Sequence, residues 1–183
     1  MIYEFLIPVI IIAFLKKGSL RRLSETEIRK QWMIISGLLL QLIVMFLYHR
    51  VLLINRSFAF WVVVSYLMLI YGCWCNRHIP GIKLFILGTL LNFLVIIANG
   101  GRMPVSLDAL EWAGLSSYIP VVVEGVTKHQ PLTESTLLPY LADVIPLRPP
   151  FVFSSMVVSF GDIAVTLGVS WFIYKGMLKQ YSH

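Results

Sequence analysis

Long stretches without charge are the feature that most constrains this chain. Residues 31–48, 57–76 and 84–101 contain no Lys, Arg, Asp or Glu, and residues 149–174 contain one, Asp162. Only 13% of the 183 residues are charged and 58% are apolar, whereas about a quarter are charged in a typical soluble domain. This composition argues against a soluble globular domain, a disordered chain and a disulfide-rich module, and it predicts an integral membrane protein.

The uncharged stretches predict an all-α integral membrane bundle of about five transmembrane helices, in one domain comprising residues 1–183. Four spans, each long enough to cross about 30 Å of hydrocarbon, are expected at residues 31–48, 57–76, 82–99 and 151–174. The N-terminal run, residues 2–15, is compatible with a signal peptide, a short span or an interfacial anchor. Its basic residues follow the apolar run, which favours an uncleaved span.

The basic residues predict an orientation for these helices. Five spans would place ten of the fifteen Lys and Arg on one side of the membrane and five on the other. By the positive-inside rule, the N-terminus is expected outside the cytoplasmic membrane and the C-terminus in the cytoplasm. Positive charge beside apolar runs favours membrane lipids over nucleic acid as the partner.

Residues 102–150 form the one long connection and are expected to be an ordered extracytoplasmic cap on the bundle. Ser106 precedes an acid-containing segment and is expected to be the N-cap of a short helix. Gly100 and Gly101, followed by Pro104, predict that the preceding helix ends there and offers free backbone groups. Both a simple helix end and a ligand pocket are compatible with this pattern.

The candidate ligand-binding residues lie at this turn and in the last apolar stretch. They are Asn99, Gly100, Gly101, Arg102 and Asp162. Arg102 is suited to bidentate contact with a carboxylate or phosphate, and free backbone N–H groups can also bind anions.

Asp162 stands out because an ionised carboxylate in hydrocarbon is costly unless it is paired. The residue is therefore either functional or part of a structural pair, near mid-membrane or close to the outer interface. A seven-residue spacing separates Asn92 from Asn99 and Gly161 from Gly168. This spacing predicts a polar, closely packed seam between the fourth and fifth spans.

Asp143 and His129 are, with Asp162, the candidate catalytic residues. A histidine titrates near neutral pH and can act as a base or a metal ligand, and Asp143 is a possible second acid. A solvated loop position is the alternative for both residues.

Metal and cofactor sites are not expected. Cys73, Cys75 and His78 are potential metal ligands, but no fourth ligand lies nearby in the sequence, and a structural zinc site needs four. The sequence also lacks nucleotide-binding fingerprints and the common hydrolase motifs.

Several short segments carry a resemblance that extends over nearly the full chain. They are residues 17–20 together with Gln41, and residues 99–104, 141–146 and 159–162. In these segments the chain resembles a family of small bacterial integral membrane proteins known only as a domain of unknown function. The resemblance implies a bacterial origin and a membrane topology, with no activity attached.

Two motifs in the C-terminal half resemble signal peptidase II, the lipoprotein-processing aspartyl protease. Asn99-Gly-Gly-Arg102 is similar to the first motif of that enzyme without its acid, and Ser159-Phe-Gly-Asp162 is similar to the second. The resemblance implies that Asp162 is a catalytic acid. An aspartyl mechanism uses two carboxylates, so Asp108 or Asp143 would have to supply the other.

These features predict a bacterial membrane protein that binds a lipid or peptide group at a polar site in the outer leaflet. Arg102 would bind an anion, Asp162 would provide a polar contact, and the cap would close the site. One alternative is a membrane hydrolase, distantly related to signal peptidase II, that uses Asp162 with Asp143 or His129. The other is a non-catalytic membrane subunit that docks a partner protein.

Overall fold

The computed structural model describes residues 2–48, 50–125, 127–150 and 152–178, and most of these residues are helical. Five long helices are α1 (Ile2–Leu15), α3 (Gln31–Leu47), α5 (Phe58–Trp74), α6 (Ile82–Ala98) and α9 (Phe160–Leu178). Four short helices are α2 (Leu20–Ser24), α4 (Leu52–Arg56), α7 (Leu107–Trp112) and α8 (Ile119–Val123). Two 3₁₀ turns lie at Ser116–Tyr118 and Pro139–Leu141.

The long helices pack side by side in the order α3, α5, α6, α9 and α1. The seam between α6 and α9 is closed by glycines. A Cβ atom added at Gly88 would lie 2.6 Å from the backbone nitrogen of Val165, and one at Gly168 would lie 2.5 Å from that of Phe85. The predicted close approach of these two helices through Gly161 and Gly168 is therefore confirmed.

The end of α6 follows the turn chemistry of the sequence. The helix ends at Ala98, and Gly100 and Gly101 adopt positive φ angles of 74° and 95°, which glycine tolerates without steric cost. Ser106 caps α7, because its side chain accepts a hydrogen bond from the backbone nitrogen of Ala109 at 3.1 Å. Both predictions, the helix end and the cap, are confirmed.

Four short strands organise the segment between α6 and α9. The strand β1 (Met103–Val105) pairs in parallel with β2 (His129–Pro131), and β3 (Ile145–Leu147) pairs antiparallel with β4 (Met156–Val158). Val105 of β1 is buried and packs with Leu110 of α7 and Val122 of α8. The segment is thus an ordered unit with its own apolar core, attached to the end of α6.

The predicted transmembrane bundle is wrong. In the part of the chain that the structure describes, no helix is both long enough and apolar enough to cross a membrane. The helix α1 has 14 residues, and α3, α5 and α6 have 17 each, about 25 Å for the longer ones at 1.5 Å per residue. A bilayer core measures about 30 Å. The helix α9 has 19 residues, but they include Asp162 and Lys175.

The multi-pass topology is overturned by the same finding. The N-terminus outside, the C-terminus in the cytoplasm, the location in the cytoplasmic membrane and the extracytoplasmic position of residues 102–150 all depended on helices that cross the bilayer. The apolar stretches do form helices, at Ile2–Leu15, Gln31–Leu47, Phe58–Trp74, Ile82–Ala98 and Phe160–Leu178.

The last predicted span also begins in the wrong place. Its expected first residue, Phe151, lies outside the described residues, and β4 occupies positions 156–158. The helix α9 begins at Phe160, so Asp162 lies in its first turn and not in the middle of a helix. A carboxylate in this position is favoured by the positive end of the helix dipole.

Candidate functional site

The candidate site is centred on His129 and Asp143, which lie on opposite edges of β1. On one edge, His129 is the β-partner of Met103. On the other, the backbone nitrogen of Asp143 donates to the carbonyl of Pro104, and the nitrogen of Ser106 donates to the carbonyl of Asp143, both at 3.0 Å. Asp143 is the β-partner of Val105, and Met103 and Val105, two residues apart on β1, face the same side of the sheet, as their partners do. The two side chains therefore meet, with His129 Nε2 3.4 Å from Asp143 Oδ2.

The ring of His129 has a second partner. The hydroxyl of Tyr118 lies 3.2 Å from His129 Nδ1, and the backbone nitrogen of His129 donates to Thr127 Oγ1 at 3.1 Å. If the phenol donates to Nδ1, the ring carries its proton on Nε2 and donates it to Asp143. The imidazole is thus oriented by a phenol on one side and a carboxylate on the other.

The carboxyl group of Asp143 is buried, with 7% of its side chain exposed. Burial raises the pKa of Asp143 above its ordinary value, the hydrogen bond from His129 lowers it in part, and the nearby charge of Asp162 raises it further. Among the described residues, Oδ1 of this group has no hydrogen-bond partner. The site therefore holds a carboxyl group that takes up a proton more readily than an exposed one does.

Asp162 is held by a capping box and by α6. Its Oδ2 accepts from the backbone nitrogen of Ser159 at 3.1 Å, and its own nitrogen donates to Ser159 Oγ at 3.0 Å, the reciprocal arrangement that starts many helices. Asn92 donates to Asp162 Oδ1 at 2.9 Å and accepts from Ser159 Oγ at 2.8 Å. The predicted polar seam between these helices is therefore confirmed at Asn92 and Asp162.

Both carboxylates line one cavity of about 250 Å³ between α3, α5, α6 and β1, which we call the acid cavity. Its polar lining residues are Gln41, Tyr66, Asn92, Lys128, His129, Asp143 and Asp162. Burial and the charges of Asp162 and Asp143 raise the pKa of the Tyr66 phenol well above its ordinary value. Gln41 Nε2 is, like Asp143 Oδ1, buried without a partner among the described residues.

The structure brings together the three candidate catalytic residues but not the candidate ligand-binding set. Gly101 and Asp162 line the acid cavity, whereas Asn99, Gly100 and Arg102 are not among its lining residues. The Asn99 amide donates to the carbonyls of Val95 and Leu137 and accepts from the nitrogen of Leu137. Asn99 thus joins α6 to the connecting segment.

Arg102 stacks on an aromatic ring. Its guanidinium lies 4.9 Å from the centre of the Tyr48 ring, and within the described ranges it makes no ion pair with Asp162. Stacking of this kind stabilises a partly exposed arginine. This placement favours a structural contact over the anion-binding role expected of Arg102.

Some residues of the acid cavity had no distinguishing signal in the sequence. Tyr66 and Lys128 look like any other tyrosine in an apolar stretch or lysine in a loop. Ser159 and Asp162 do form a recognisable S-x-x-D capping box, which could have marked the true start of α9.

The described residues contain no group of three or more His, Cys, Asp or Glu side chains that could hold a metal ion. At the other end of the bundle Cys73 is buried, and burial raises the pKa of its thiol to about 11. The free thiol of Cys73 is therefore a weaker nucleophile than an exposed one.

The fold and the site define a mostly helical protein with a small carboxylate-lined cavity. Residues 25–174 match a family of unknown function, DUF5317, and the chain belongs to that family. An uncharacterised protein of Thermotoga maritima is 37% identical over 108 residues, which make up 59% of this chain and 59% of the relative. The match thus spans less than two thirds of that relative. No solved structure matches the chain.

These matches support the uncharacterised family expected from the sequence, and they attach no activity to it. The likeness to signal peptidase II stays a prediction.

Proposed function

We propose that the protein binds a peptide group, or another small group with one hydrogen-bond donor and one acceptor, in the acid cavity. The observation that carries this proposal is that two residues lining one cavity each hold a buried polar atom without a hydrogen-bond partner among the described residues: Asp143 at Oδ1 and Gln41 at Nε2. The carboxyl oxygen accepts a hydrogen bond and the amide nitrogen donates one. A peptide group offers the complementary N–H and C=O.

Energetics support the same conclusion. A buried polar atom that lacks a partner costs about 1–3 kcal/mol, so a ligand that supplies both partners regains that free energy on binding. The volume of about 250 Å³ is below the range of about 300–1,000 Å³ usual for drug-sized ligands. The cavity is therefore suited to one small polar group and not to a large ligand.

Hydrolysis is the competing function, and the hydrogen bonds of the two acids are a reason to rank it second. Aspartyl hydrolysis uses two carboxyl groups that share a proton. Here both oxygens of Asp162 already accept hydrogen bonds, from Asn92 and Ser159, while Asp143 faces His129. For partner docking, the third expectation, we find no specific supporting contact.

Calorimetric titration with an uncharged capped dipeptide, N-acetyl-alanyl-alanine N-methylamide, tests the proposal. We expect this dipeptide to bind. We expect weaker binding of the analogue in which an ester oxygen replaces the N–H of the peptide bond between the two alanines. Replacing Gln41 with Leu removes the buried donor and should weaken peptide binding about tenfold. Gln31→Leu, at the exposed start of the same helix, is the matched control and should bind as the parent does.

Two results would overturn the proposal: no heat of binding with the dipeptide, or equal affinities for the parent and Gln41→Leu. Because Gln41→Leu removes an unpartnered buried donor, its thermal midpoint should not fall, and the comparison then reports on binding alone. Mass spectrometry of the recovered dipeptide separates binding from cleavage, since hydrolysis products that vanish with Asp162→Asn would favour the hydrolase.

A further inference from the structure

A second and larger cavity, of about 770 Å³, lies at the opposite end of the bundle. It is formed by the segment between α2 and α3, the turn between α5 and α6, and the last turns of α9; we call it the basal cavity. Lys175 on its wall follows Asp162 by thirteen residues of α9, roughly 20 Å along the helix. We propose that the basal cavity binds an organic anion, one with a phosphate or carboxylate group on an apolar body.

The backbone of Arg29, on the cavity wall, is held by a buried asparagine. Asn76 is fully buried, and its side-chain amide holds both backbone groups of Arg29, accepting from the nitrogen and donating to the carbonyl at 2.7 Å each. The same amide donates to the carbonyl of Gly72 on α5 at 2.8 Å. The backbone of Arg29 is therefore anchored to the end of α5, although it lies in an irregular segment.

The charges on the wall favour an anion. Arg29, His78 and Lys175 face the cavity together with two acids, Glu25 and Glu27. Glu25 is already paired with Arg21 at 3.3 Å, which leaves Glu27 as the one lining acid outside an ion pair in the described ranges.

The cationic side chains themselves are available. Among the described residues neither the Arg29 guanidinium nor the His78 ring takes part in an ion pair, and Lys175 Nζ lies 5.0 Å from the centre of the Trp171 ring. With the charge of Glu25 offset by Arg21, Arg29 and Lys175 outnumber Glu27 by one positive charge on the wall, and a site with net positive charge concentrates anions. The planar fork of arginine matches phosphate and carboxylate oxygens.

The remaining wall is apolar and defines the other half of the ligand. Ile79, Pro80 and Phe172 line the cavity beside the charged residues. The volume falls within the range of about 300–1,000 Å³ that is usual for small-molecule sites. An aromatic or aliphatic body that carries one anionic group fits both the charge and the apolar surface.

Calorimetric titration of the purified full chain with phenyl phosphate tests this assignment. We expect phenyl phosphate to bind more tightly than inorganic phosphate, which lacks the apolar body, and than benzyl alcohol, which lacks the charge. Arg29→Gln and Lys175→Gln should each weaken binding of phenyl phosphate about tenfold. Lys83→Gln, an exposed lysine of α6 outside the lining, is the matched control and should change the affinity less than twofold.

Several outcomes would overturn the assignment. They are no binding of phenyl phosphate, tighter binding of benzylamine than of phenyl phosphate, and an affinity that neither Arg29→Gln nor Lys175→Gln changes. Circular dichroism and thermal unfolding establish that each variant is folded. If Arg29→Gln is not folded, the affinity of Lys175→Gln for phenyl phosphate alone tests the assignment. Peptide binding at the acid cavity should be unaffected by these variants, so the two proposals fail independently.

Discussion

His129 Nε2 lies 3.4 Å from Asp143 Oδ2, and the backbones of both residues are hydrogen-bonded to the same three-residue strand, β1. Each position is fixed by main-chain bonds on its own edge of the strand. A surface ion pair is usually weak because two long, mobile side chains must be ordered to form it. Here the backbone bonds already place the two residues, so this cost is small. Burial of Asp143 makes the pair sensitive to protonation.

The raised pKa of Asp143 predicts a specific pH dependence of stability. A group whose pKa is higher in the folded state stabilises the fold most when it is protonated. This contribution is full below the ordinary value of 3.8 and is lost as the pH rises through the folded-state pKa. Relative to Asp143→Asn, the free energy of unfolding of the parent should fall as the pH rises above 3.8, as measured by urea unfolding at several pH values.

A carboxyl group exposed in a loop provides the control for this measurement. Glu134→Gln removes such a group and should leave the slope of the parent nearly unchanged. A parent-minus-Asp143→Asn difference that is constant, or that rises with pH, would show that folding does not raise the pKa of Asp143.

The bond between Asn92 and Asp162 should appear as coupling between the two residues. Asn92→Ala leaves one oxygen of the carboxylate without its partner, which should cost about 1–3 kcal/mol. In a double-mutant cycle with Asp162→Ala, the two losses should fall short of additivity by about 1 kcal/mol. The measurement is the free energy of unfolding of the four proteins in urea.

A second double-mutant cycle, of Arg102→Ala with Asp162→Ala, is the control for the Asn92–Asp162 cycle. Because Arg102 stacks on Tyr48 and makes no ion pair with Asp162 in the described part of the chain, these losses should add to within about 0.5 kcal/mol. Strong coupling in this second cycle would contradict the separate placement of Arg102 and Asp162.

The glycine seam predicts that a single methyl group is destabilising. Gly88→Ala would place Cβ 2.6 Å from the nitrogen of Val165 and should lower the free energy of unfolding by about 1–3 kcal/mol, because overpacking forces the helices apart. Leu87→Ala, on the exposed face of the same helix, should change it by about 0.5 kcal/mol or less. Stabilisation by Gly88→Ala, as helix propensity alone would give, would contradict the close packing.

The two cysteines should differ sharply in reactivity. Cys73 is buried and its thiol pKa is raised to about 11, whereas Cys75 is half-buried. At pH 8 a disulfide reagent such as dithionitrobenzoate should modify Cys75 in the native protein and leave Cys73 unmodified, because the thiolate is the reactive form. Cys75→Ser should react only after denaturation, and Cys73→Ser should react without it. Rapid reaction of native Cys75→Ser would show that the end of α5 opens readily.

Local sequence alone located much of the secondary structure. The uncharged stretches contain α3 and α5 and overlap α6 and α9, the glycines after Asn99 end α6, and Ser106 starts α7. These features depend on interactions between residues that are close in the chain, and for that reason they can be recognised without knowing the fold. Family membership was accessible for a related reason, because short motifs stand at fixed positions along the chain.

The tertiary structure decided which of these residues meet. Asp143 reaches His129 only because both pair with β1, and strands of three residues leave too short a pattern to be recognised in advance. Helix length was equally undetermined: an apolar stretch permits a helix, but capping contacts such as that between Ser159 and Asp162 set where it begins. Arg102 stacks on Tyr48 and not on Asp162, because the partner of a side chain depends on how distant segments pack and not on its neighbours in sequence.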